Sequence, residues 1–184
     1  MYEQQKVEAD QRISTTDCVK EDKEMNENMF YLGLAGDYAK QMTGCTKVAV
    51  GCCIVKHTTV PAAVVALGAN RAVPDLCKYR GCLRVEKYGS NSKMYRSPED
   101  CRAIHSEIDA ISKAASAGVS TAGATMYITR YPCEACARAI IAAGIKRVVY
   151  GRNQLISDTT RQMFESAGVE YINCKEYQED DTTA

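Results

Sequence analysis

The strongest constraint on how this chain can fold comes from four residues, His105, Glu107, Cys133 and Cys136. They stand as His105-Ser106-Glu107 and, further along, Pro132-Cys133-Glu134-Ala135-Cys136. Residues at i and i+3 share one helical face, so two sulfurs at that spacing can reach one metal ion. At a helix start the positive end of the dipole also favours thiolate over thiol. The run PCEACARAIIAAGI suits such a helix, with Pro132 at its start and Gly144 as its stop. HSEIDAISKAASAG reads as a second helix closed by Gly118, and TMYIT (125–129) as a short buried strand between the two.

A catalytic zinc keeps three protein ligands and an open position for water, whereas a structural zinc is closed by four. His105, Cys133 and Cys136 supply three. Glu107 is left as an acid/base beside the bound water, whose pKa such a site lowers to about 7. An isolated C-x-x-C reads equally as a redox pair or half a structural zinc site, and a lone His-x-Glu is close to noise. Their combination, H-x-E…P-C-x-x-C, resembles the signature of zinc-dependent nucleobase deaminases, where Glu is the proton shuttle and not a ligand.

The resemblance extends over most of the chain. HSEIDAI…TMYITRYPCEACARAIIAAGIKRVVYG is similar to the deoxycytidylate (dCMP) deaminase family of the cytidine deaminase-like superfamily. VAVGCCIV (48–55) and LGAN (67–70) resemble the family's first strand and its GYN turn. The resemblance implies a three-layer α/β/α fold with a central mixed five-stranded sheet. It also implies a deoxycytidine monophosphate substrate, a homo-oligomer, often a hexamer, and a nucleoside triphosphate effector. By position, His105, Cys133 and Cys136 would hold Zn2+, Glu107 would shuttle protons through a zinc-bound hydroxide mechanism, and Asn70 would contact the substrate. Several positions depart from the family pattern: Ser106 for Ala, Asp109 for Asn, Arg71 for Gly, Ala69 for Tyr, and Arg152, Asn153 and Gln154 where some members carry a Tyr.

Arg71 lies in a basic stretch. Residues 71–102 carry eight basic and four acidic side chains, while residues 1–27 carry eight acidic and four basic. Arg binds phosphate by charge-assisted, often bidentate hydrogen bonds, which makes Arg71, beside Asn70, the candidate for a substrate phosphate. The same stretch is the longest irregular segment expected in the chain, and such a loop is usually functional or braced. Cys77, Cys82 and Cys101 fall in it and Cys45 precedes the first strand. The dCMP deaminase resemblance implies a second, non-catalytic zinc here, and these four cysteines are its candidate ligands. The alternative is that they are buried thiols, as Cys18, Cys52, Cys53 and Cys174 are expected to be. His57 is expected to be exposed in a hairpin turn.

The expected organisation is an acidic N-terminal arm (1–26), a deaminase domain (27–174) and an acidic tail (175–184). The first helix is expected over about 27–42, where Phe30, Leu34, Tyr38 and Met42 recur at helical spacing. VAVGCCIV and PAAVVALGA read as strands covered on both faces and joined as a hairpin, with parallel pairing later in the chain. No window approaches the roughly 18 apolar residues of a membrane span, and no secretory signal is visible. Ten cysteines without such a signal indicate a reducing, cytoplasmic setting. A formal net charge of zero offers nothing for nonspecific nucleic-acid binding. Two other functions stay open from the residues: a deaminase of the same fold acting on another base, nucleoside or nucleotide, and a non-catalytic zinc module for assembly or nucleotide sensing. Glu107 separates them, because a retired site could lose the shuttle and keep its ligands.

Overall fold

The computed structural model describes residues 15–45, 47–58, 62–72, 77, 80–89, 101–151 and 157–177, with side chains described from residue 23 onward. The first 14 residues of the expected acidic arm and most of the expected tail lie outside the described residues.

Helix α1 spans Thr15–Met42, twelve residues longer at its start than the apolar period indicates. Residues 23–26 of that extension are exposed. Lys- and Glu-rich sequence has good helix propensity without leaving an apolar stripe, so period alone misses it. Strands β1 (Gly51–Lys56) and β2 (Ala63–Ala69) form the expected antiparallel hairpin. β5 (Thr125–Ile128), β6 (Arg147–Tyr150) and β7 (Glu170–Asn173) complete a five-stranded sheet in the order β2-β1-β5-β6-β7. β1 pairs antiparallel with β5, and β5-β6-β7 are parallel, so the sheet is mixed as expected.

One strand differs from expectation. Ala63 and Val64 at the start of β2 are exposed and the next three residues only partly buried, because β2 is an edge strand with only β1 beside it. Between β2 and the third major helix, the supposed irregular stretch contains β3 (Arg71–Ala72), a short helix α2 (Leu83–Tyr88) and β4 (Ala103–Ile104), with β3 and β4 paired. The remaining helices are α3 (Ser106–Ser116), α4 (Glu134–Ala142) and α5 (Asp158–Ala167). Ser157 caps α5, its hydroxyl accepting the Thr160 N–H at 3.1 Å.

The alternation of β1 divides the core into two. Cys52 and Ile54 face Met126, Ile128, Val148, Ile140 and Phe164, under α3, α4 and α5. Cys53 and Val55 face the other way, against Tyr31, Leu32 and Ala35 of α1 with Tyr127 and Val149. The layers are therefore α1, the sheet, and the group α3, α4, α5.

Gly68 of β2 sets how closely α3 approaches the sheet. A Cβ there would overlap the Ser106 carbonyl oxygen and come within 2.7 Å of the Ala110 nitrogen. Both neighbours are helix backbone, which cannot yield locally. Gly68→Ala is expected to destabilise the fold by about 1–3 kcal/mol, the usual range for overpacking. Urea denaturation measures it as a lowered midpoint with unchanged slope; an unchanged midpoint would show that α3 moves freely.

Candidate active site

His105 is the N-cap of α3, in extended backbone (φ −73°, ψ 152°) as it leaves β4. Cys133 is the N-cap of α4, also extended (φ −75°, ψ 169°), and Cys136 lies in the first turn. Cys133 Sγ is 3.5 Å and Cys136 Sγ 3.4 Å from His105 Nδ1. The ligand atoms of the three residues all lie within 4.8 Å of one another. Two helix starts, separated in sequence by β5, thus meet at one point beyond the carboxyl end of that strand.

The protonation chemistry of this donor set calls for a cation. Its hydrogen bond from Cys136, with a further bond to His105, holds the Cys133 thiol down at about 4 despite burial. The same thiol pair works against Cys136, which Cys133 and then burial push well above the usual thiol range. One proton is shared between two sulfurs because two adjacent buried thiolates repel. A divalent cation between them would cancel that repulsion and allow both to ionise. Hydrogen bonds to Cys101 and Cys133 raise His105 to about 10, so without a cation the imidazole keeps a proton that a bound metal would displace. The residues present fit zinc, with two soft sulfurs, one imidazole and no fourth described ligand in the group.

Glu107 lies in the first turn of α3, only 4% exposed. Ser106 Oγ donates to its Oε2 at 3.0 Å, and the Cys136 thiol lies within hydrogen-bonding reach. Burial pushes its carboxyl above the usual range, partly opposed by the charge on His105. A carboxyl so placed, beside the ligand cluster, can serve as a general acid–base.

Asn70 is buried, and its side-chain amide makes three hydrogen bonds. Oδ1 accepts from Thr43 Oγ1 (2.9 Å) and the Val50 N–H (2.8 Å), while Nδ2 donates to the Val48 carbonyl (2.9 Å). The residue thereby ties 43–50 to the end of β2, a bracing role that sequence reading did not anticipate. Arg71, which follows it, is half exposed and donates through Nε to Asp109 Oδ1 at 2.8 Å. Asp109 is 1% exposed and also accepts from Lys113 Nζ (2.6 Å) and the Ala69 N–H (3.2 Å). Burial would raise its pKa, but the bonds from Lys113 and Arg71 outweigh burial and keep it ionised below the ordinary Asp value. In the sequence Asp109 stood out only as a departure from the family pattern.

The four loop cysteines are neighbours, more loosely than the first group. Cys77 is raised by burial and then by the negative charges of Cys45, Cys82 and Cys101. Among the described residues, the one set of three or more His, Cys, Asp or Glu with ligand atoms within 4.8 Å is His105, Cys133 and Cys136. Cys101 instead hydrogen-bonds His105; burial raises its thiol, but that bond and one from the Ala103 backbone hold it below its ordinary value. Cys52, Cys53 and Cys174 are buried as expected. His57 is more engaged than a free turn residue, with Nδ1 3.4 Å from Glu27 and Nε2 3.5 Å from the Tyr127 hydroxyl. A shallow groove near the carboxyl end of α4, lined by Ile141, Thr159 and Met163 among others, includes none of the residues just described.

Among the described residues, no helix is long and apolar enough to cross a membrane. Residues 25–152 match the family model for the cytidine and deoxycytidylate deaminase zinc-binding region. ComE operon protein 2 of Bacillus subtilis is 31% identical over 144 residues, covering 77% of this chain and 68% of that protein. The deoxycytidylate deaminase of Mycobacterium phage D29 is 33% identical over 129 residues, covering 66% of this chain and 91% of the phage protein. In fold, the chain resembles the crystal structure of dCMP deaminase from cyanophage S-TIM5 in apo form, with a TM-score of 0.56 at 22% identity over 80% of this chain and 97% of that one.

Proposed function

This chain belongs to the cytidine and deoxycytidylate deaminase family, and on that premise we propose that it hydrolyses the amino group of a cytosine nucleotide, converting dCMP to dUMP and ammonia. The observation that carries this reading is the convergence of His105, Cys133 and Cys136 within 4.8 Å beside the buried Glu107. A relative named deoxycytidylate deaminase, similar over most of its length, supports dCMP as the substrate.

In this reading His105, Cys133 and Cys136 hold zinc. Zinc bound there would supply Lewis-acid activation of a water molecule. Glu107 takes a proton from the attacking water, passes it to the ring nitrogen, and serves again as the C4–N bond breaks and ammonia leaves. Ser106, bonded to Oε2, fixes the carboxylate plane during these transfers. Arg71 meets the phosphate, and Asn70, whose amide also holds 43–50 in place, contacts the substrate beside it.

Ammonia release from dCMP, cytidine and adenosine by purified zinc-loaded protein tests the substrate, with dCMP expected to be turned over fastest. Turnover of none of the three would sink the reading, and leave a zinc module for assembly or sensing.

A second zinc on Cys45, Cys77, Cys82 and Cys101 is part of the proposal, supported by the mutual electrostatic influence of the four thiols. It would brace a segment with few buried apolar side chains. Protein purified without added metal is expected to contain two zinc ions per chain by elemental analysis; one ion per chain eliminates the second site. A homo-oligomer with a nucleoside triphosphate effector completes the family reading. The exposed Met25, Phe30 and Met42 on α1 are side chains that a subunit contact would cover.

A further inference from the structure

Arg71 sits where β3 meets β4, paired in register with Ile104, the residue before His105. Its guanidinium is held by Asp109 at the start of α3, the helix whose first turn also carries Glu107. Among the described residues its hydrogen-bond partner is Asp109, reached through Nε. That contact is made through Nε, so it does not itself occupy the two terminal nitrogens, which form a fork.

The carboxylate doing the holding is unusual for its burial. Asp109 is 1% exposed, yet it serves two cations and a backbone N–H: Arg71 and Ala69 on the β2–β3 side, and Lys113 one turn along α3. Lys113 is itself fixed, donating to the Leu67 carbonyl at 3.1 Å and the Tyr38 hydroxyl at 3.0 Å. One negative charge against two positive ones leaves the cluster with a net charge of +1. A lone Asp–Arg pair would be neutral and would offer an anion little.

We propose that Asp109 and Lys113 are positioning residues for Arg71, the buried carboxylate clamping the guanidinium through Nε while Lys113 offsets the carboxylate's charge, so that Arg71 presents a net positive fork to the phosphate of the substrate. The inference rests on the reading of the site as one for a cytosine nucleoside monophosphate, and adds how this chain selects the phosphorylated form. An asparagine at position 109 could still accept the Ala69 N–H, but it would not hold two cations. The acidic residue at 109 and the arginine at 71 are therefore parts of one device.

The test compares steady-state kinetics on dCMP and on deoxycytidine. In Asp109→Asn, kcat/KM for dCMP is expected to fall about 10–100-fold further than for deoxycytidine, mostly through KM, the size of a lost charge-assisted contact. Lys113→Met should shift the same ratio in the same direction by less. In an Arg71→Ala background, Asp109→Asn should add little, because the residue it positions is gone. Arg71→Lys keeps the charge on a half-exposed side chain and carries the test if Asp109→Asn does not fold. It too should lose the preference, since a single ammonium drawn to Asp109 has no second edge to present. Equal losses on both substrates, full additivity with Arg71→Ala, or an unchanged preference in Arg71→Lys would overturn the inference while the deaminase reading stands. Wild type that deaminates deoxycytidine but not dCMP would overturn the monophosphate reading and the inference with it.

Discussion

Glu107→Gln is expected to lower kcat for dCMP by about 10²–10⁴-fold, the range that a positioned general acid–base contributes. Gln has nearly the same shape and can keep an oxygen facing Ser106 Oγ, so the packing of α3 should survive. What it cannot do is take a proton. Glu107 is buried, and burial raises its carboxyl above the usual range, which strengthens it as a proton acceptor. Since Glu107 is not among the three convergent ligands, zinc content should stay at the wild-type value. Activity within a few-fold of wild type would remove Glu107 from the mechanism. Loss of both activity and zinc would make it a ligand.

Removing the metal should have an effect of similar size on activity and a second one on stability. Stripping zinc with a chelator is expected to abolish turnover, and adding zinc back should restore it. A ligand that binds only the folded state stabilises it by about 4 kcal/mol at a thousandfold excess over its Kd. For a domain of this size that corresponds to a rise in Tm of roughly 10 °C. The structural basis is the sulfur pair, where Cys136 is 1% exposed and its ionisation is opposed by Cys133 and by burial. Without a cation, the protein keeps a proton on a group that the metal would otherwise deprotonate. Cys136→Ser should reproduce the loss of zinc and activity, because a hydroxyl is a poorer zinc ligand than a thiolate. Metal-free protein with unchanged activity and Tm would show that the three residues only pack together.

The site was legible where its signals are local. The i, i+3 cysteines, Pro132 and the His-x-Glu pair each lie at one helix start and Gly144 just past one helix end, and the structure places them there. The strands at 125–128 and 147–150 were legible as short buried apolar runs, and their parallel pairing follows from the helix between them. The polar half of α1 was not, because a solvated helix needs no apolar period. Nor was the edge position of β2, since an apolar run does not say how many neighbours a strand has.

The Asp109 cluster was illegible for a different reason. Asp109 bonds Arg71 across 38 residues of sequence, and Lys113 reaches Tyr38 across 75. Read alone, each of these charged residues looks like part of a solvated surface. Asn70 stood out as a substrate contact, and the structure adds that its amide also bonds Thr43, Val48 and Val50, a bracing role that depends on residues 20–27 positions away. Likewise Cys101, grouped by sequence with the other loop cysteines, approaches His105.

The sequence by itself determined the class of chemistry and the α/β frame, because metal-ligand spacing, helix starts and buried strands are written in residues a few positions apart. Only the tertiary structure decided which charges are buried, which amide braces a distant segment and which thiol adjoins which histidine. Those properties depend on what the fold brings together from distant parts of the chain, and on the removal of water that makes a single carboxylate able to order two cations.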